Sequence, residues 1–223
     1  MAIILNIDTA TELAGVCLSS DNDILATEET AGQKTHASFI QPAIQKVLQT
    51  AGLTVKDIDA VAVTGGPGSY TGLRVGLSTA KGLCYALNKP LIMVNTLEVM
   101  AFAAIADHSG PNNNVLFCPM IDARRMEVFT ALYTPGLQLV MPPAAMILDE
   151  TSFAAELENN TLVFSGNGSL KAGIIKHPNA IFAKTGYDVN KLAILALLYY
   201  KASKFEDLAY CEPLYLKEFY KKA

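Results

Sequence analysis

The chain has 223 residues, more than one typical domain and short for two large ones. A composition of 51% hydrophobic and 17% charged residues suits a well-packed protein whose light surface charge leaves room for an apolar contact face. The formal charge of -4, from 17 basic and 21 acidic residues, argues against a protein that grips tRNA or DNA unaided, because such proteins usually carry a basic excess.

The N-terminus reaches Asp8 after a short apolar run and lacks the basic leader of a secretory signal. Ile3 to Ile7 is apolar except for Asn6, the pattern of a strand covered on both faces. Ala14 to Leu18 and Ile24 to Glu28 read as a hairpin around the polar turn Ser19 to Asp23. A helix is expected from Thr35 to Thr50, with His36, Phe39, Ile40, Ala43, Ile44, Val47 and Leu48 on one apolar stripe. Pro42 would shift its start toward Gln41, and Gly52 stops it. A strand at 60–63, a helix at 70–87, a strand at 91–94 and a helix at 96–106 complete the first half. This order matches a ribonuclease-H-like layout better than an open dinucleotide sheet. The polar, breaker-rich run 107–114 sets the expected boundary between a domain at 1–106 and a smaller one at 107–223. In the second half, Val115 to Met120, Glu127 to Tyr133 and Thr161 to Phe164 read as strands, and Asp149 to Leu157 as a short helix. Asp188 to Ala202 reads as a largely buried helix with Asp188 as its cap, able to pack back on the first domain. Its most apolar part, Leu192 to Tyr200, is too short to span a bilayer. The tail Cys211 to Tyr220 is extended around Pro213. No sequence repeat is visible. Cytoplasm is the expected location.

The run Val63-Thr-Gly-Gly-Pro-Gly-Ser-Tyr-Thr-Gly-Leu-Arg-Val-Gly76 joins a strand to a helix. Helix N-termini offer free amides to anions, so Gly66, Gly68 and Ser69, with Asp8 and Thr9, form a candidate nucleotide loop. A P-loop, however, needs Lys then Ser or Thr after its glycines, and Leu73 and Arg74 follow Gly72 here. A structural or interface role is the competing reading. Gly72, Gly76 and Ala80 fall four apart, a small-residue stripe along which another helix could approach, from this chain or from a partner.

Asp8, at the end of the first strand, is either a metal- or phosphate-handling carboxylate or the cap of its own turn. The second half supplies no glycine-rich phosphate loop at the corresponding place, only Ile121-Asp-Ala-Arg-Arg125, which argues against an autonomous ATP-dependent phosphotransferase or ATPase. His36, His108 and His177 are too scattered for a metal motif. His36 reads as packed or interfacial, the other two as solvated. Cys17, Cys84, Cys118 and Cys211 have no Cys-x-x-Cys pairing and read as buried apolar residues of a reducing compartment. Ser165-Gly-Asn-Gly-Ser169 is not a nucleophile elbow. No catalytic residue and no metal site are expected.

Taken together, Ile7-Asp-Thr-Ala-Thr11, His36-Ala-Ser-Phe-Ile-Gln-Pro-Ala-Ile44, the glycine run Gly65 to Gly76, Val94-Asn-Thr-Leu-Glu98, Ile121-Asp-Ala-Arg-Arg-Met-Glu-Val-Phe129, Gly166-Asn-Gly168 and Pro213-Leu-Tyr-Leu-Lys217 resemble the TsaB family, formerly YeaZ. The resemblance implies a two-domain actin/Hsp70-like α/β fold with mixed sheets and a degenerate relative of TsaD. It also implies a scaffolding subunit in threonylcarbamoyl transfer to the adenosine beside the tRNA anticodon. TsaD and TsaE would be partners, tRNA would be reached only through the complex, and the isolated chain would be a homodimer. No cofactor is expected to bind stably to the chain alone, with ATP or ADP at the complex junction. Where TsaD holds its metal with two histidines, Thr96 and Met100 stand here. An old superfamily label, glycoprotein endopeptidase, lacks those histidines and any nucleophile motif. The implied partner face comprises His36, Phe39, Ile40, Ile44, Tyr70, Gly72, Leu73, Arg74, Gly76 and Ala80.

Overall fold

The computed structural model describes residues 1–31, 36–111, 113–185 and 188–217. These divide into two compact units, residues 1–96 with 188–214, and residues 97–187 with 215–217. The division thus falls at 96/97, ahead of the breaker-rich run where sequence reading set it. The expected helix start at Thr35 and the tail's Glu218 to Tyr220 lie outside the described residues, as does Asn112 in the boundary run.

The first unit is a five-stranded mixed sheet of β1 (Ile3–Asp8), β2 (Leu13–Ser20), β3 (Asp23–Ala31), β4 (Ala60–Thr64) and β5 (Leu91–Val94), in the order β3-β2-β1-β4-β5. β1 pairs antiparallel with β2 and parallel with β4, so β1 has neighbours on both edges and both of its faces are covered. Leu5, Ile7, Val16, Leu18, Val61 and Val63 point to one face, which is covered by α1 (His36–Ala51) and α2 (Tyr70–Leu87). The other face carries Gly15, where a Cβ would lie 2.8 Å from Val189 Cβ, and it receives α5 (Val189–Lys201). Asp188 caps α5 by accepting from Asn190 N. Asn6, fully buried on β1, donates to the Ile4 and Cys17 carbonyls and to Ser19 Oγ at 3.1–3.2 Å. α1 starts at His36 with Pro42 inside it.

α3 (Thr96–Asp107) begins at the last residue of the first unit and continues in the second. The second sheet comprises β6 (Val115–Asp122), β7 (Glu127–Tyr133), β8 (Leu139–Ile147), β9 (Thr161–Ser165) and β10 (Ala180–Phe182). Its order, β10-β9-β6-β7-β8, and its strand directions repeat those of the first sheet, although the sequences show no repeat. β8 and β10 are additions to the expected strands. The expected helix 149–157 shrinks to α4 (Ala154–Asn159), because Asp149 folds back on Thr151 and Ser152 and Phe153 is left-handed. Among the described residues no helix is long and apolar enough to cross a membrane.

Candidate functional site

The glycine run after β4 forms a closed joint inside the first unit. Gly65 N donates to Val94 O at 2.8 Å and Ser69 N to Ala10 O at 2.7 Å. Gly66 O accepts from Thr96 N at 2.9 Å, and Gly65 O from Leu214 N at 2.8 Å. Gly66 has φ 99°, and a Cβ there would stand 2.7 Å from Leu214 O; only glycine fits both demands. Gly68 is pressed against the Ala10 carbonyl. The loop therefore ties together the end of β1, the start of α3 and the C-terminal tail. Ser69 caps α2 by accepting from Gly72 N at 3.3 Å. The amides of Gly65 and Ser69, which a phosphate loop would aim at its ligand, are spent on carbonyls of the chain itself.

Asp8 is fully buried at the same joint. Its Oδ1 accepts from Ala10 N at 2.8 Å and from the Thr64 hydroxyl, so the carboxylate closes its own turn and bridges β1 to β4. Thr9, also buried, donates from Oγ1 to Gly72 O at 2.7 Å.

The small-residue stripe faces inward. A Cβ at Gly72 would overlap Thr9 O, and one at Gly76 would overlap Thr9 Oγ1 and meet Val63 Cγ2 at 3.4 Å. Ile40, Ile44 and Ala80 belong to the core under α1 and α2, and Leu73 is 1% exposed. Gly72 and Gly76, offered above as part of a partner face, thus seat α2 on the β1 turn and β4, and Ile40 and Ile44 carry α1 into the same core. His36 is likewise buried, with Nε2 3.3 Å from Glu12 O and, among the described residues, no partner at Nδ1. Of the expected face, Phe39, Tyr70 and Arg74 reach the surface of their helices. Arg74 stacks 4.1 Å from the Tyr70 ring centroid, a contact of about 0.5–1 kcal/mol along the outer face of the helix. The outward face of α2 is a second stripe that periodicity alone missed: Thr71, Arg74, Ser78, Gly82 and Tyr85. Tyr85 is 86% exposed, and among the described residues no atom of another segment lies within 4 Å of a Cβ built on Gly82. Two small stripes share this helix, and sequence spacing cannot say which one is buried.

The second unit repeats the joint in reduced form. Asp122, at the end of β6, accepts from Arg124 N at 2.6 Å as Asp8 does from Ala10 N. Gly166, with φ 83°, and Gly168 follow β9 as Gly66 and Gly68 follow β4, and a Cβ at Gly168 would lie 2.9 Å from Ile121 C. A 3-10 helix, Asn167–Ile174, stands where α2 stands in the first unit. Burial works against the Asp122 carboxylate, but the Lys171 ammonium at 2.5 Å and the Arg124 amide outweigh it and hold its pKa below the usual range.

Among the described residues no three His, Cys, Asp or Glu side chains come together as a metal cluster would require. Met100 is 4% exposed, part of a core cluster with Leu97, Ala101 and Ile121. Thr96 is fully buried. His108 is half-buried edge-on to Phe117, not solvated as expected, and His177 accepts from Asn179 N at 3.2 Å. Burial pushes the Cys17 and Cys118 thiols up to about 12 and Cys84 to about 11. No nucleophile–base pair emerges from these groups.

Comparison with known proteins places this arrangement. A family model described as TsaD, tRNA N6-adenosine threonylcarbamoyltransferase, matches residues 24–212. The Bacillus subtilis tRNA threonylcarbamoyladenosine biosynthesis protein TsaB is 32% identical over 177 residues, 78% of this chain and 75% of that protein. The Escherichia coli protein of the same name is 40% identical over 130 residues, 58% of this chain and about half (54%) of its own length. A Pseudomonas aeruginosa structure described as similar to the peptidase YeaZ superposes with a TM-score of 0.85 at 23% identity, over 97% of this chain and all of that one. The fold also resembles that of the ethanolamine utilization protein EutJ from Carboxydothermus hydrogenoformans, with a TM-score of 0.50 at 9% identity over 88% of this chain and 90% of that one. The chain belongs to the TsaB (YeaZ) family, whose fold is close to that of TsaD.

Proposed function

We propose that this chain is a non-catalytic subunit of the tRNA N6-threonylcarbamoyladenosine transferase. It would bind TsaD and hold it in the conformation that transfers threonylcarbamoyl to the adenosine beside the anticodon. The observation that carries the reading is the outward stripe of α2. Gly82 inside a helix costs about 0.5–1 kcal/mol relative to Ala, and among the described residues no other segment comes within 4 Å of a Cβ built there; Gly82 and Tyr85 instead line an open hollow with Asp207, Leu208 and Ala209. Close approach of a partner helix offsets that cost, with Tyr85 as an exposed aromatic anchor beside it. The closed glycine joint supports a structural role for the run that would otherwise cradle phosphate.

In this reading the face of Phe39, Tyr70, Arg74 and the α2 stripe meets TsaD, and the same face pairs two copies when TsaD is absent. TsaE joins the assembly, tRNA is met within it, ATP or ADP belongs to the junction between subunits, and the complex is cytoplasmic. The repeated strand order of the two sheets supports a duplicated ribonuclease-H-like ancestry. The test is association with TsaD by sedimentation, comparing the wild-type chain with G82L and Y85A. Both variants should bind at least tenfold more weakly while keeping the wild-type thermal transition. Undiminished binding of both would place the TsaD face elsewhere.

A further inference from the structure

The chain has three arginines, Arg74, Arg124 and Arg125, and two of them stand side by side in the β6–β7 turn. Both are exposed, and both hold left-handed backbone, with φ 71° and 50°. The turn beneath them is braced from several segments. Ala123 N donates to Glu127 O at 3.0 Å, Glu127 N to Arg124 O at 3.1 Å, and Leu148 N to Met126 O at 2.8 Å. Asp122 N donates to Asn167 Oδ1 at 2.9 Å.

The carboxylates of the turn are already engaged. Asp122 takes Lys171 at 2.5 Å, and Lys171 also donates to Glu127 O at 3.0 Å. Glu127 takes Lys217, which also donates to Ala123 O at 3.3 Å. Asp149, just beyond the residue bonded to Met126, accepts from Thr151 and Ser152. Two acids and two lysines thus pair off, and among the described residues two guanidinium groups are left over on the braced turn, in a chain whose formal charge is -4. A guanidinium fork matches phosphate oxygens two at a time, and a turn already fixed by hydrogen bonds spares the backbone's share of the ordering cost on binding. Left-handed positions favour Gly or Asn, so arginine is there against local backbone preference.

We propose that Arg124 and Arg125 grip backbone phosphates of RNA, and that through them this chain contributes a direct contact to the tRNA bound by the complex. The proposal rests on the function proposed above for its RNA partner, named for the relatives as tRNA.

The test uses R124N/R125G, which removes both charges and installs residues that favour the turn's backbone. R124K/R125K keeps the charge and loses the fork. Anisotropy of labelled tRNA is titrated with the complex of TsaD and each form of the chain, at several salt concentrations. Two lost phosphate contacts should flatten the slope of log affinity against log salt by about 1.4–1.8 and weaken binding roughly tenfold at low salt. R124K/R125K should keep most of the slope, and TsaD association should be unchanged in both variants. Unchanged tRNA affinity and slope with R124N/R125G, with TsaD bound normally, would overturn the proposal. So would loss of ATP binding in R124N/R125G with the tRNA slope intact, which would assign the arginines to a nucleotide instead. If the wild-type chain does not bind TsaD, the functional reading fails. The chain alone is then titrated with the same tRNA: salt-dependent binding lost in R124N/R125G sustains the phosphate contact, and binding indifferent to it overturns the contact as well.

Discussion

The same substitution made twice on one helix should have opposite signs. Gly76→Ala and Gly82→Ala each remove a helix-interior glycine from α2, which by propensity gains about 0.5–1 kcal/mol. At Gly82 the new methyl group meets no atom within 4 Å, so nearly the whole gain should appear. At Gly76 it overlaps Thr9 Oγ1, the hydroxyl that donates to Gly72 O at 2.7 Å inside the joint. Displacing it leaves a buried hydroxyl and carbonyl with an unmet bond, a loss of about 1–3 kcal/mol that exceeds the propensity gain. G76A should therefore be destabilised by roughly 1–2 kcal/mol net, and the two variants should melt about 5–10 °C apart. Urea unfolding with a common m-value measures the difference as a shift in midpoint. If G76A matches G82A, or gains stability, α2 does not pack on the β1 turn as described and the inward assignment of Gly72, Gly76 and Ala80 fails.

Asp8→Ala should cost about 1–3 kcal/mol in stability, since it strands the Thr64 hydroxyl and Ala10 amide in a buried joint. Transfer by the reconstituted complex at saturating partner should nonetheless stay within a few-fold of wild type, and a collapsed rate with intact binding would make Asp8 catalytic. Thiol labelling of the native protein near pH 8 should modify Cys211 first and leave Cys17, Cys84 and Cys118 untouched until denaturant is added. Because those three folded thiols keep their protons, stability should be level below the unfolded thiol pKa of about 8.5 and fall as pH rises beyond it; a flat alkaline profile in urea midpoints would contradict this. Lys171→Met removes the cation that holds Asp122 low, so the midpoint difference from wild type should be full at neutral pH, above the unfolded carboxylate value of about 3.9. It should shrink as pH falls through the lower folded value, to what the lost bond to Glu127 O is worth; a difference that does not change with pH would mean that the Asp122 charge contributes nothing.

Strong periodicity and strong breakers made most of the first unit readable before any coordinates. The α1 stripe, the strand at 60–63 and the Asp188 cap each rest on local chemistry that tertiary contacts reinforce. β8 escaped because Pro142 and Pro143 interrupt it. Prolines inside a strand are tolerated at a sheet edge, which is where β8 lies, and nothing local marks an edge. α4 was drawn too long because Asp149 looks like a helix opener, whereas its carboxylate serves a turn whose Phe153 is left-handed. The boundary at 107–114 follows composition, while the compact units divide by contact at 96/97, inside no breaker. The buried half of the expected partner face was assigned outward because spacing of four on α2 is satisfied by two stripes. Only the position of Thr9 decides between them, and it lies 63 residues away in sequence from Gly72. Asp122-Ala-Arg-Arg125 was read for the glycine it lacks; its arginines gain meaning only once Lys171 and Lys217 are seen to engage the neighbouring carboxylates.

The central claim, that the chain enables transfer without performing it, is tested most directly by reconstitution. TsaD, TsaE, ATP, threonylcarbamoyl-adenylate and unmodified tRNA are combined with and without this chain, and modified adenosine is counted by mass spectrometry of the digested tRNA. The account predicts transfer only when TsaD and this chain are both present, and none from this chain without TsaD. Full transfer by TsaD and TsaE in its absence, or transfer by this chain alone, would contradict it.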